Sequence, residues 1–474
     1  MASAFLLLPL AAAPRLWAWW SDQGVFWPDE IYQTLEQGHR LAFGYGMVPW
    51  EFRDGARSWV FPGMIGGVMK LANAIGLRTA PELVLTVKMV MVLSGLWAVY
   101  ASMRLAERIG GAYAALLAGV FSALFPASIV YGSRCMTEMA SAPLVVTAAW
   151  LALDGGWKKE LGAGALASLA IYFRFQNGLL AVGFLLMLVF ARRWKDALAY
   201  GGSATVVGLL GGWLDKLTWG DWFHSFITYV KFNLIEGKAS GWGVADYDYY
   251  VKTLWTATGW PLVLIVLGLV LSFRWARVLP IFVVLYIAAH NAIPHKEYRF
   301  LMPIMPILFA LSGAGVAWLL GKLPDVTVRT RRVGLGGWLA TALAVTSGLA
   351  LAHKTHVITF GDMGQGADSP MGLTAPWHHE EGPNLAFWEA GQHDDLCGMA
   401  MIGIPMISTG GYSYLHKNVP LLNSMDTSSA NYLAIPRLMP PPAGWRFVAG
   451  FPDYVLVKRD GPCAPAPWFQ QMFP

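Results

Sequence analysis

Long apolar runs alternate with short charged connections over most of this chain. Apolar segments of spanning or near-spanning length fall at about residues 2–20, 82–101, 112–131, 136–153, 160–173, 178–191, 197–215, 253–273, 277–293, 300–320 and 333–352. Each reads as a membrane helix, because roughly 20 apolar residues cross a bilayer core. The segments at 160–173 and 178–191 are short for that role, and the total is about eleven spans. A further run at 59–77 contains Pro62, several glycines and Lys70, and reads as an interfacial or re-entrant helix. Residues 2–20 have no basic leader and no small-residue cleavage site, which favours a retained first span over a signal peptide.

The charges between the runs give an independent check. With the N-terminus in the cytoplasm, the inward loops carry Arg104 and Arg108; Lys158 and Lys159; Arg192, Arg193 and Lys195; Arg274 and Arg277; then Lys322, Arg329, Arg331 and Arg332. The outward loops hold isolated cations, chiefly Arg134, Arg174, Lys296 and Arg299. This alternation is the one the positive-inside rule demands, and a miscounted span would scramble it. The N-terminus is therefore expected inside. Residues 21–81, 133–138, 174–177, 216–250 and 294–299 then share the outer face, and a tail from about residue 353 emerges there too. A lipid or sugar transporter is the competing class, but it predicts polar residues at mid-span depth, whereas here they gather at one surface.

The tail changes character. It has a helix-like stretch at 384–392, strand-like stretches at 396–404 and 419–422, and a further strand-like stretch at 446–459, which together predict a small external α/β domain over residues 353–474 beside a membrane domain over 1–352.

Composition agrees. The chain is 56% hydrophobic and 13% charged, with a mean hydropathy of +0.46, against about 25% charged residues in soluble domains. The expected class is a polytopic α-helical membrane protein. The net charge of +5 is scattered between apolar runs, so a nucleic-acid partner is excluded. Three cysteines exclude a disulfide scaffold and lack metal-ligand spacing, but Cys397 and Cys463 both lie in the tail, where a bridge is expected. No Asn-x-Ser/Thr sequon occurs, which fits a bacterial inner membrane better than the endoplasmic reticulum.

Candidate chemistry gathers in residues 27–62 of the first outer loop, where Asp29, Glu30, Glu51 and Asp54 stand among His39, Arg40, Arg53 and Arg57. Pro28-Asp29-Glu30 is a helix-start pattern, and acids in a first turn are stabilised by the helix dipole whatever the protein does. The functional alternative is that one of them is a general base at a water-poor cavity. Adjacent helical residues point about 100° apart, so only one can aim at a substrate. The second cluster, residues 294–300, puts His295, Lys296 and Arg299 at the mouth of two spans. Three cations in five residues suit an anionic phosphate, and interfacial snorkelling is the equal alternative. Arg134 and Glu138 would lie at i, i+4 on a helix and pair. Arg174, Gln176 and Asn177 cap a span or hydrogen-bond a sugar. Residues 222–250 read as an amphipathic surface helix and loop whose aromatics anchor it at the interface.

The first loop resembles that of the lipid-phosphate-mannose-dependent mannosyltransferases of glycosyltransferase family 22, of the membrane GT-C class, which includes the GPI-anchor and N-glycan precursor mannosyltransferases. The resemblance is carried by Pro28, Asp29, Glu30, Gln33, Glu36, His39, Ala42, Phe43, Gly44, Gly46, Trp50, Glu51, Arg53, Gly55, Arg57, Ser58 and Pro62. It is carried as well by His295, Lys296, Glu297, Arg299, Phe300, Pro303 and Pro306, more than 200 residues later, and more loosely by Thr137-Glu138, residues 174–178 and 413–421. Trp27 and Pro49 depart from the family pattern, which bears on the acceptor more than on the reaction.

The resemblance implies a GT-C fold and an inverting reaction. Mannose would pass from a polyprenyl-phosphate mannose donor to a glycan or glycolipid acceptor, giving an α-mannoside on the outer face. Asp29 by preference, or Glu30, would deprotonate the acceptor hydroxyl. Lys296 and Arg299, assisted by His295, would stabilise the departing lipid phosphate. Glu51, Arg53, Arg57, Arg174 and Gln176 would contact phosphate or acceptor, and neither metal nor nucleotide would be required. Transfer of another sugar from the same kind of lipid is the near alternative, because pocket shape sets sugar identity.

Overall fold

A computed structural model describes residues 2–25, 27–328, 331–366, 369–423 and 427–465. Every apolar segment predicted above forms helix. The first is Ala2–Ser21, followed by Val60–Ala74 in the run read as interfacial. Residues 80–124 are helical through two predicted spans, interrupted only at Gly111, whose φ of +78° is a conformation that side chains with a Cβ rarely adopt. Its start is fixed by a capping box in which Thr79 accepts from the Glu82 amide and the Glu82 carboxylate accepts from the Thr79 amide. Then come Thr137–Asp154, Trp157–Phe173, Gly178–Phe190, Trp194–Trp219, Val278–Ala292, Met305–Leu320 and Leu335–Val357. The segment predicted at 253–273 is broken into Tyr249–Thr258 and Pro261–Ser272 by Gly259 and the ring of Pro261.

Three of these helices, Ala80–Leu124, Trp194–Trp219 and Leu335–Val357, are long and apolar enough to cross a membrane. The long Ala80–Leu124 helix is the bundle's centre, touching Ala2–Ser21, Thr137–Asp154, Met305–Leu320 and Leu335–Val357. Between Pro261–Ser272 and Met305–Leu320 the backbones meet: a Cβ on Gly268 would lie 2.1 Å from the Ser312 carbonyl oxygen, and one on Gly315 would lie 2.0 Å from that of Gly268. Small residues at such a crossing let lipid-embedded helices gain dispersion contact where no hydrophobic force drives them together.

The tail holds the helix Glu381–Gly391 and a five-stranded mixed sheet. Its strands run in the order Leu421–Leu422, Met399–Met401, Tyr432–Pro436, Tyr454–Lys458 and Arg446–Phe451. The first two pairings are parallel and the last two antiparallel. The expected Cys397–Cys463 bridge is present, and Cys135 is buried as a free thiol. One apolar core contains Val25, Ile31, Tyr32 and Met47 of the first loop together with Phe387, Met399, Tyr412, Tyr432 and Leu456 of the tail. The sheet is thus the surface against which the first loop is built.

Candidate active site

The first loop is helical from Pro28 to Phe43, and Pro28 opens it where a missing N–H costs nothing. After one turn it widens into a π-helical turn, Ile31–Leu35, before the Glu36–Phe43 helix ends at Gly44, whose φ is +87°. Such π turns shift the faces that side chains occupy. Asp29, Gln33 and Glu51 line a cavity of about 750 Å³, while Glu30 points into the protein.

That cavity brings the two sequence clusters together. Asp29, Glu51, Arg57, Arg174, Gln176, His295, Lys296 and Arg299 all line it, although they come from four separate stretches of chain. Arg299 is its electrostatic hub. Its Nη2 is 2.7 Å from Asp29 Oδ2, its Nε is 2.7 Å from Glu297 Oε2, and its Nη1 is 3.5 Å from Glu138 Oε1. Burial pushes the Glu297 carboxyl up, but Arg299 and His295 outweigh it and hold it well below the ordinary carboxylate range. Arg174 donates to Glu138 at 2.7 Å and lies over the Phe300 ring. Lys296 differs: it donates to the Ala245 carbonyl at 2.7 Å and sits over Tyr247, with no carboxylate within ion-pair distance among the described residues. Arg57 lies over the Tyr229 ring, and Gln176 donates to the Tyr229 hydroxyl. The cavity wall therefore holds the Asp29 carboxylate, the most exposed of its carboxylates, together with Lys296, which meets no carboxylate at ion-pair distance among the described residues.

Three expectations change. Glu30 is fully buried and faces Arg134 at 3.4 Å, in a cluster where Arg134 also holds Asp22 at 2.7 Å and Lys88 donates to the Asp22 carbonyl. It is absent from the cavity wall, because the helix turns it about 100° away from Asp29. Arg53 is exposed and likewise outside the cavity wall, since the short Trp50–Arg53 helix turns Glu51 in and Arg53 out. The predicted Arg134–Glu138 pair also gives way: residues 131–136 do not continue the helix, so Arg134 turns to Asp22 and Glu138 to Arg174.

Glu36 and His39 serve the tail. The Glu36 carboxylate accepts from the amides of Met47, Tyr412 and Ser413 and from the Ser413 hydroxyl. His39 Nδ1 faces the Tyr45 carbonyl at 3.1 Å and so carries the hydrogen, leaving Nε2 to accept from His416 Nδ1 at 2.9 Å.

Comparison with known proteins bears on the family and the fold. The profile of the Alg9-like mannosyltransferase family matches residues 6–416. The chain belongs to that family. Among Alg9-like relatives, GPI mannosyltransferase 3 of Yarrowia lipolytica is 26% identical over 366 residues, 74% of this chain and 68% of that protein. GPI alpha-1,2-mannosyltransferase 3 of Danio rerio is 28% identical over 313 residues, 62% of this chain and 56% of that protein. The matched region thus spans little more than half of the second relative. ArnT from Cupriavidus metallidurans bound to undecaprenyl phosphate superposes with a TM-score of 0.60 at 15% identity, over 98% of this chain and 100% of that one. The archaeal oligosaccharyltransferase AglB from Archaeoglobus fulgidus gives 0.53 at 12% identity, over 91% and 69%. This Alg9-like chain is therefore an integral membrane protein with the fold of GT-C membrane glycosyltransferases.

Proposed function

We propose that this protein transfers mannose from a polyprenyl-phosphate mannose to a hydroxyl of a glycan or glycolipid, with inversion to an α-mannoside. The observation that carries the reading is the shared cavity: the Asp29 carboxylate and the Lys296 ammonium line one space, and Arg299 ties their two chain segments together. Asp29 takes the proton of the acceptor hydroxyl as its oxygen attacks the anomeric carbon. The bond from that carbon to the phosphate oxygen breaks, and its electron pair leaves with the lipid phosphate. Lys296 neutralises the departing charge; removing one such preorganised donor costs about 3 to 4 kcal/mol in related oxyanion sites. Arg299, with His295 beside Glu297, anchors the carboxylates that flank the cavity. Glu51, Arg57, Arg174 and Gln176 line the part of the cavity assigned to sugar and acceptor.

In this reading the cavity opens on the outer face of a bacterial inner membrane, the N-terminus is cytoplasmic, and residues 353–474 form an external domain that supports the first loop. About eleven spans connect the two. The test is to incubate purified protein with synthetic polyprenyl-phosphate mannose and a panel of mannosides and to read products by mass and anomeric configuration. An α-mannoside product supports the reading; transfer with retention, or of a different sugar in preference, rejects it.

A further inference from the structure

We propose that Gln33 is a positioning residue for the base: its side-chain amide locks the Asp29 carboxylate so that Oδ1 is the atom that receives the acceptor's proton. This inference rests on the reading of Asp29 as the base and adds the residue that orients it.

Gln33 lies in the π-helical turn and is only 7% exposed. Its Nε2 is 2.7 Å from Asp29 Oδ1 and 2.9 Å from Glu51 Oε1. An amide nitrogen carries two hydrogens, so both contacts are donations from one NH2 group. Flipping the amide would set its carbonyl oxygen against two carboxyl oxygens, so the orientation is determined by the contacts themselves.

The two oxygens of Asp29 thereby become different. Oδ2 takes a charge-assisted bond from Arg299 at 2.7 Å, whereas Oδ1 faces a neutral amide. An oxygen held by a guanidinium is the poorer proton acceptor, because the cation withdraws the charge that a proton would bind. Oδ1 keeps a second lone pair for the incoming proton while the amide still donates to the first. In the transfer step the acceptor O–H bond breaks, its proton goes to Asp29 Oδ1, and the freed pair forms the new bond to the anomeric carbon as the bond from that carbon to the lipid phosphate oxygen breaks and its pair leaves with the phosphate.

Glu51 completes the arrangement. Burial pushes its carboxyl up, Arg57 opposes this, and Asp29 adds to the upward shift. Glu51 and Asp29 are held on the one Gln33 amide nitrogen, so the two carboxyls are fixed relative to each other. The charged groups facing the trio are Arg299, with Glu297 and Glu138 behind it, and Arg57 beside Glu51.

The test uses full-length protein and steady-state transfer from synthetic polyprenyl-phosphate mannose to a soluble mannoside. Gln33→Leu is expected to lower kcat about 10- to 100-fold, the scale for losing a hydrogen bond to a charged group, with KM for donor and acceptor and the thermal midpoint unchanged. An unchanged kcat in Gln33→Leu beside an inactive Asp29→Asn overturns the role of Gln33 and leaves the base in place. Near-normal turnover by Asp29→Asn removes the base itself. A second variant covers the case in which Gln33→Leu does not fold. Gln33→Glu places a third carboxyl between the two, so the acid limb of its kcat profile is expected to move up by about one pH unit; a limb that stays in place overturns the proposal.

Discussion

The two faces of the first-loop helix carry the same kinds of residue to opposite ends. On one face Asp29, Gln33 and, from the following turn, Glu51 line the cavity; on the other Glu30, Glu36 and His39 are buried against the bundle and the tail. Asp29 and Glu30 are neighbours in sequence and both meet an arginine, yet Asp29 keeps 31% of its side-chain exposure and Glu30 keeps none. A carboxylate that meets both a cation and open space can exchange a proton with a substrate. One that meets only buried cations fixes a fold, and breaking such a pair is costly because the partner stays buried and uncompensated.

Substitutions on the two faces should therefore fail differently. The largest effect outside the base itself is expected for Lys296→Ala, which should lower kcat/KM by about 10²- to 10³-fold and weaken donor binding, with the thermal midpoint unmoved. Intact donor affinity in that variant would detach Lys296 from the phosphate. Glu30→Gln should do the reverse. It leaves Arg134 half-compensated and is expected to cost on the order of 3 kcal/mol in stability, seen as a lower unfolding midpoint in detergent, while the protein that remains folded turns over normally.

The histidine pair gives a smaller, pH-dependent effect. Burial, with His416 alongside, pulls His39 down to about 3 from its ordinary 6.5. The unfolded chain therefore takes up a proton that the folded chain refuses, so the contribution to stability is complete above about pH 6.5 and is lost as pH falls toward 3. Protonation also replaces the Nε2 acceptor with a donor facing His416. Thermal midpoints should fall across that window, and a His39→Gln protein should show a flatter profile. Arg53→Ala, outside the cavity, should change transfer by less than about twofold; a larger loss would return Arg53 to the acceptor path.

Much of this contrast was legible in the sequence. Apolar run lengths located the helices, and the two motifs located the cavity from its two ends, because each motif concentrates charge where a membrane protein tolerates it only with a partner. The rule that adjacent helical residues diverge already implied that only one of Asp29 and Glu30 could face a cavity. What holds Glu30 away from it is Arg134, whose partner Asp22 is 112 residues away, a separation with no local pattern. The π-helical turn that brings Gln33 between Asp29 and Glu51 has no composition signal either, nor does the role of Glu36 and His39 against the tail. The Tyr432–Pro436 strand escaped prediction because it is five residues long and ends in proline, yet it joins the parallel and antiparallel halves of the sheet. In the other direction, the acid and bases of residues 50–57 look equivalent in sequence, and only the turn of a four-residue helix separates Glu51 from Arg53.

In the proposed reaction Asp29 acts chemically on a substrate held in part by Lys296. The most direct test measures donor binding and turnover together in Asp29→Asn, a variant that keeps the shape of the side chain. Donor affinity is expected to stay near that of the unmodified protein, with turnover lowered by about 10²- to 10⁴-fold, the range for loss of a general base. Turnover near normal in that variant would contradict it.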